Sequence, residues 1–169
     1  MKNDYEITQQ MHADLMEAYI RVSSKCWTQM EAYERMVKEP APRYYITPKQ
    51  AYQVLLRMMK GDFEYVDTMP ESKRKMYYSL FEVVNELTMK RSFIGKSLWY
   101  IVPFAVNSPA PEFFISAERA RHIRGWLKSG VIKEDGRIDD TIVKSYVTRR
   151  KNAHNNRKTL KEIWMSEKI

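Results

Sequence analysis

The chain is poor in the residues that staple or spread a structure. Among 169 residues there is one cysteine, Cys26, so no internal disulfide and no multi-cysteine zinc site can form. Five glycines are too few for the loops that cradle phosphates, and neither a Walker loop nor a dinucleotide fingerprint is present. No apolar run approaches the roughly 20 residues of a membrane-spanning helix. Asp4 and Glu6 stand where a signal peptide needs an apolar stretch. The three histidines, His12, His122 and His154, share no metal-ligand spacing. The carboxylate pairs Glu31/Glu34, Asp62/Glu64 and Asp139/Asp140 stand beside no second matching pair. Cys26 is expected mid-helix among apolar neighbours, as an inert small hydrophobe. The expectation is a non-enzymatic, soluble chain of the cell interior, without cofactor, metal or membrane partner.

What is present is apolar mass and an uneven charge. Hydrophobic residues make up 44% of the chain, with eleven Met, eleven Tyr, six Phe and four Trp, enough for the core of one ordinary domain. Residues 1–69 carry 9 basic and 10 acidic side chains, whereas residues 117–169 carry 14 and 7, so +7 of the net +8 lies in the last third. Such asymmetry suits a polyanion or an acidic protein surface as partner, through long-range attraction.

The chain also repeats itself. Pro40-Ala41-Pro42-Arg43-Tyr44-Tyr45-Ile46-Thr47 recurs 69 positions later as Pro109-Ala110-Pro111-Glu112-Phe113-Phe114-Ile115-Ser116, and the register holds without insertion to Gly61 and Gly130. Six of the 22 positions are identical, which makes this an internal duplication. Each copy reads as a stiff proline entry, a short aromatic extended piece, and a helix capped by Thr47 or Ser116 and ended by Gly61 or Gly130 in the left-handed conformation. Tyr44–Ile46 and Phe113–Ile115 are expected to pair as a minimal two-stranded sheet. One ring of each aromatic pair should point inward and the other cover the proline turn. Because the second copy has Phe for both tyrosines, the hydroxyls should be dispensable. Ala51, Val54, Leu55 and Met58 form the inner stripe of the first motif helix, matched by Ala120, Ile123 and Leu127.

Upstream, Tyr5–Lys38 carries an unbroken helical pattern, read as one long arm or as two helices broken near Ser23 and Ser24. Met69–Thr88 is a second helix, its stripe Met76, Leu80, Val83, Val84 and Leu87. Ser97–Val106 is a third, with Pro103 as a kink or end. Together these predict a mainly α fold: residues 1–148 as one helical domain of two pseudo-repeats, 1–69 and 70–148, then a basic extension, 149–169, with a terminal helix. Leu160, Ile163 and Trp164 would dock that helix on the body or on another subunit.

The strongest candidate binding surface is cationic. Arg119, Arg121, His122 and Arg124 stand where the first copy has Gln50, Tyr52, Gln53 and Leu55, and Arg149, Arg150, Lys151, Arg157 and Lys158 follow in the extension. Such residues neutralise phosphates and set register; the competing reading is a solvated, ion-paired face. A helix-turn-helix is not supported, because no helix is followed after a short turn by a second with a basic outer face.

The Pro-Ala-Pro-Arg-aromatic-aromatic motif at Pro40–Tyr45, with its second version at Pro109–Phe114, resembles uncharacterised small proteins of Bacteroidales phages and mobile elements. That resemblance implies a phage setting, in the host cytoplasm or a virion, and brings no catalytic set with it. The expected function is a binding or assembly protein, such as a virion-associated component that contacts a polyanion, another phage structural protein or its own copies. The alternatives are a DNA-binding regulator and an inhibitor of a host protein. An assembly protein should expose an apolar patch beyond the usual few hundred Å².

Overall fold

The computed structural model describes residues 4–130. Chain contacts divide the protein into two compact units, Met1–Arg124 and Gly125–Ile169; the description concerns the first unit and, of the second, only residues 125–130. The boundary expected at 148/149, the basic extension with its terminal helix, and Leu160, Ile163 and Trp164 lie outside the described residues.

The fold is mainly helical, and no strand occurs among the described residues. In chain order the elements are α1 (Asp4–Ser23), α2 (Gln29–Met36), α3 (Pro48–Met59), the single turn α4 (Glu64–Asp67), α5 (Glu71–Thr88), a 3-10 turn (Arg91–Phe93), α6 (Leu98–Val106) and α7 (Ala117–Lys128). The long upstream pattern is therefore two helices, and it breaks at Ser23. Cys26 consequently sits in the link between them, a correction to its expected mid-helix place. Its thiol donates to the Val22 carbonyl at 3.2 Å.

The 69-residue offset reaches further back than the proline motif. Helix α3 maps onto α7 end to end, and the first residue of α2 maps onto the first of α6. All four of these helices are opened by a hydroxyl. Thr28 accepts from the Glu31 N–H and Ser97 from the Tyr100 N–H. Thr47 accepts from the Gln50 N–H and Ser116 from the Arg119 N–H, so each cap satisfies a donor that has no partner inside its helix. Burial repeats as well: Ala32, Tyr33, Met36 and Val37 match Ile101, Val102, Ala105 and Val106, and all eight are buried. In α1 and α5, Leu15 and Ala18 match Val84 and Leu87. The α5 stripe keeps Leu80, Val84 and Leu87 of the five expected residues: Met76 and Val83 are half-buried, and Tyr77 is buried in addition. At the far end Gly61 (φ 85°) and Gly130 (φ 73°) both take left-handed backbone. Gly61 donates to Met58 and Asp62 to Arg57, the paired closure of a Schellman turn.

The two copies meet at their prolines. Ala41 and Ala110 exchange both backbone hydrogen bonds, at 3.0 and 2.9 Å, in a single antiparallel bridge. Further out, Tyr44 N–H donates to the Val106 carbonyl and Phe113 N–H to the Val37 carbonyl, each at 3.0 Å. These donors, and these acceptors, are 69 residues apart, so the bonds obey a pseudo-two-fold relation. The expected sheet through the aromatic residues does not form: the bridge is confined to Ala41 and Ala110, and the N–H groups of Tyr44 and Phe113 are taken by the Val106 and Val37 carbonyls.

The aromatic rings follow the same symmetry. Tyr44 stacks on Phe114 (5.9 Å, 16°) and Tyr45 on Phe113 (5.8 Å, 6°). Tyr44 and Phe113 are buried, while Tyr45 and Phe114 are half-covered, so one ring of each pair points inward as expected. Phe114 alone departs from the pattern in its backbone, with φ 54°, the only non-glycine residue at positive φ among those described.

The arrangement also exchanges helices. Helices α1 and α2 pack together, as do α5 and α6, but α3 of the first repeat lies on α5 and α6 of the second. In return α7 reaches α1 and α2, where Arg124 donates to the Tyr33 hydroxyl at 3.1 Å and lies 4.2 Å over the Tyr19 ring. Neither repeat completes its own core, and the proline crossing is what permits the exchange.

The expectation that the tyrosine hydroxyls are dispensable is wrong for the first copy. Tyr44 hydrogen-bonds Ser79 at 2.7 Å, and Tyr45 donates to the Asp14 carboxylate at 2.6 Å. Burial, then the bond to Asp14, pushes the Tyr45 hydroxyl well above its usual range. Beside them Arg43 is buried, its Nε donating to the Tyr44 carbonyl at 3.2 Å. Desolvation lowers its pKa, against the opposing fields of Tyr45 and Asp14. The second copy substitutes this pair jointly, with Phe114 for Tyr45 and Val83 for Asp14. Tyr45→Phe should therefore cost about 1–2 kcal/mol, because it leaves a half-buried carboxylate without its donor. Adding Asp14→Val should restore most of that loss, and urea denaturation of the single and double variants measures both.

Candidate interaction surface

The sequence-derived cations divide on the structure. Arg119, Arg121 and His122 are exposed on α7. Arg121 pairs with Glu118 one turn away at 3.6 Å, a weak exposed bridge. Arg124 faces inward and is spent on Tyr19 and Tyr33, cross-linking α7 to the first helix pair. Arg149, Arg150, Lys151, Arg157 and Lys158 lie outside the described residues. The outer face of α7 thus presents three of the four cations read from its sequence.

A second surface was not read from the sequence at all. Helix α6 is apolar all round, and its outward side carries Trp99, Tyr100 and Phe104, exposed to 48%, 47% and 49%. Their rings fall into two contact groups, Tyr100 and Phe104 with Phe93 in one and Trp99 with Tyr52 in the other. Phe93 meets Phe104 edge-on at 5.1 Å, Tyr100 meets Phe104 at 5.5 Å, and Tyr52 of α3 meets Trp99 edge-on at 5.1 Å. Ile94, 66% exposed, continues the patch along the 3-10 turn. With about 150–250 Å² on each such ring, three rings half in water expose on the order of 300 Å² of aromatic surface.

The first repeat provides an internal control. At the positions of Trp99, Tyr100, Pro103 and Phe104 it has Met30, Glu31, Glu34 and Arg35. There Glu31 bridges Arg35 at 2.9 Å and accepts from the Trp27 N–H. The same helix, capped alike and buried on the same four inner positions, needs no aromatic residue outside. Extending the 69-residue alignment back past Pro40 to Thr28 and Ser97 exposes this difference; the reading stopped at the proline because sequence identity fades there.

Basic residues flank the aromatic residues along the chain. Lys90, Arg91 and Lys96 are exposed, and no Asp or Glu occurs from Leu87 to Pro111. Lys96 Nζ lies 5.3 Å over the Tyr100 ring. Among the described residues no group of three or more His, Cys, Asp and Glu side chains converges to hold a metal ion. No described helix is long and apolar enough to cross a membrane. No protein-family model, curated protein or solved structure matches the chain.

The two arginines make a direct test of their different surroundings. Arg124→Gln should lower stability by about 1–2 kcal/mol through loss of the Tyr19 and Tyr33 contacts. Arg121→Gln should change it by less than about 0.5 kcal/mol. Thermal melts followed by circular dichroism separate the two.

Proposed function

We propose that this chain is a non-enzymatic binding or assembly protein, a virion-associated component of a phage that contacts another structural protein or a polyanion through its second repeat. The observation that carries this reading is the aromatic outer face of α6, which the same fold position in the first repeat does without. Exposed Trp and Tyr are among the residues that dominate binding energy in protein interfaces. The phage setting is supported by the Pro-Ala-Pro-Arg-aromatic-aromatic motif. A DNA-binding regulator is the second reading, favoured by exposed Arg119, Arg121 and His122 on α7.

Mixing the full chain with its neighbouring gene products, and separately with duplex DNA, distinguishes them. The assembly reading expects a defined complex with a protein partner, seen by size exclusion with light scattering and persisting in Arg119→Glu/Arg121→Glu. Retardation of duplex DNA that falls steeply with salt and vanishes in that double variant, with no protein complex, replaces it by the regulator reading.

A further inference from the structure

The binding reading leaves open what the α6 face receives. Three features restrict the answer. Its rings meet edge-on or tilted, and Lys96 lies over one side of Tyr100, so the face lacks the row of parallel rings on which successive bases of single-stranded nucleic acid stack. A second copy docking isologously would bring Lys90, Arg91 and Lys96 against themselves, a like-charge meeting that disfavours self-association there. The chain segment that forms the face, from Leu87 to Pro111, carries Lys90, Arg91 and Lys96 and no carboxylate, and no described ion pair engages those three cations.

We propose that the face formed by the 3-10 turn and α6, with Tyr52 of α3 at its edge, is the docking surface for an acidic amphipathic segment of a partner protein. Apolar side chains of that segment cover Trp99, Tyr100 and Phe104, while its Asp and Glu residues meet Lys90, Arg91 and Lys96. The match is one of charge and apolar surface together: an apolar, half-exposed aromatic centre with flanking charge of single sign. The first repeat supplies the contrast: its equivalent face pairs Glu31 with Arg35 internally, and although Met30 and Trp27 are exposed there, they carry no unpaired cationic flank like that of Lys90, Arg91 and Lys96. This inference rests on the reading of the chain as a binding protein.

The test is a selection of displayed random peptides on the full-length chain, depleted beforehand on a Trp99→Met/Tyr100→Glu/Phe104→Arg variant. Those substitutions install the first repeat's own residues, which the same helix carries at the same positions, and a melt verifies folding. Enriched peptides should interleave Asp and Glu with Leu, Trp, Phe or Met. A synthetic copy of the leading peptide should bind at least about tenfold more weakly to the triple variant. It should also weaken with added salt and against Lys96→Glu, a change confined to an exposed link that leaves the aromatic residues in place. The proposal is overturned if no peptide survives depletion, if the enriched peptides are basic, or if both variants bind as the natural chain does. It is also overturned if phosphatidylglycerol vesicles or oligo(dT) bind through these residues in place of peptide. A complex with a neighbouring gene product that survives the triple substitution would keep the binding reading while removing this face from it. Selected peptides without any such complex would do the reverse.

Discussion

Two short proline-flanked segments cross, and the architecture follows from that crossing. Pro40 and Pro42 hold Ala41 extended and strip its neighbours of donors, and Pro109 and Pro111 do the same for Ala110. The result is one reciprocal pair of backbone hydrogen bonds, buried and confined to that residue pair. A single bridge is weak as a sheet, yet it sits among stacked rings and fixes the direction in which each chain leaves. Each chain leaves toward the other repeat, so α3 completes the core of α5 and α6. The repeats are therefore obligate partners within one chain, arranged as the halves of a symmetric dimer would be.

Symmetry of this kind frees surfaces to diverge. The inner positions of α2 and α6 must remain apolar in both repeats because both are buried against their neighbours. The outer positions carry no such demand, and there one repeat uses a glutamate–arginine pair where the other uses three aromatic side chains. Helix α7 shows the same freedom with a different result. Arg119, Arg121 and His122 face outward, while Arg124, at the position of the buried Leu55, has been absorbed into packing through its flat guanidinium. A count of positive charges along α7 treats these four alike, and only the helix exchange separates them.

Most helices were legible because their ends are chemically marked. Thr47, Ser116, Gly61 and Gly130 announce the bounds of α3 and α7, and Ser97 announces that of α6. The break after Ser23 was one of two readings, since apolar spacing continues through Cys26 and Met30 although the backbone does not. The partner of each segment was not legible. The aromatic residues looked like strand formers by composition, and they stack as rings without pairing as backbone. The Tyr45–Asp14 bond joins residues 31 positions apart, so local pattern carries no sign of it. The α6 face was missed because its apolar residues resemble a core stripe until the matching polar face of α2 is laid beside them.

The crossing can be measured directly by amide hydrogen exchange, resolved residue by residue in nuclear magnetic resonance spectra. The N–H groups of Ala41, Tyr44, Ala110 and Phe113 lie outside every helix, and irregular backbone ordinarily exchanges fast. If the proline crossing holds the two repeats together, these four should exchange only as slowly as global unfolding allows, in step with the core amides of α1 and α5. Exchange of the four at loop rates, while those helices stay protected, would contradict the account.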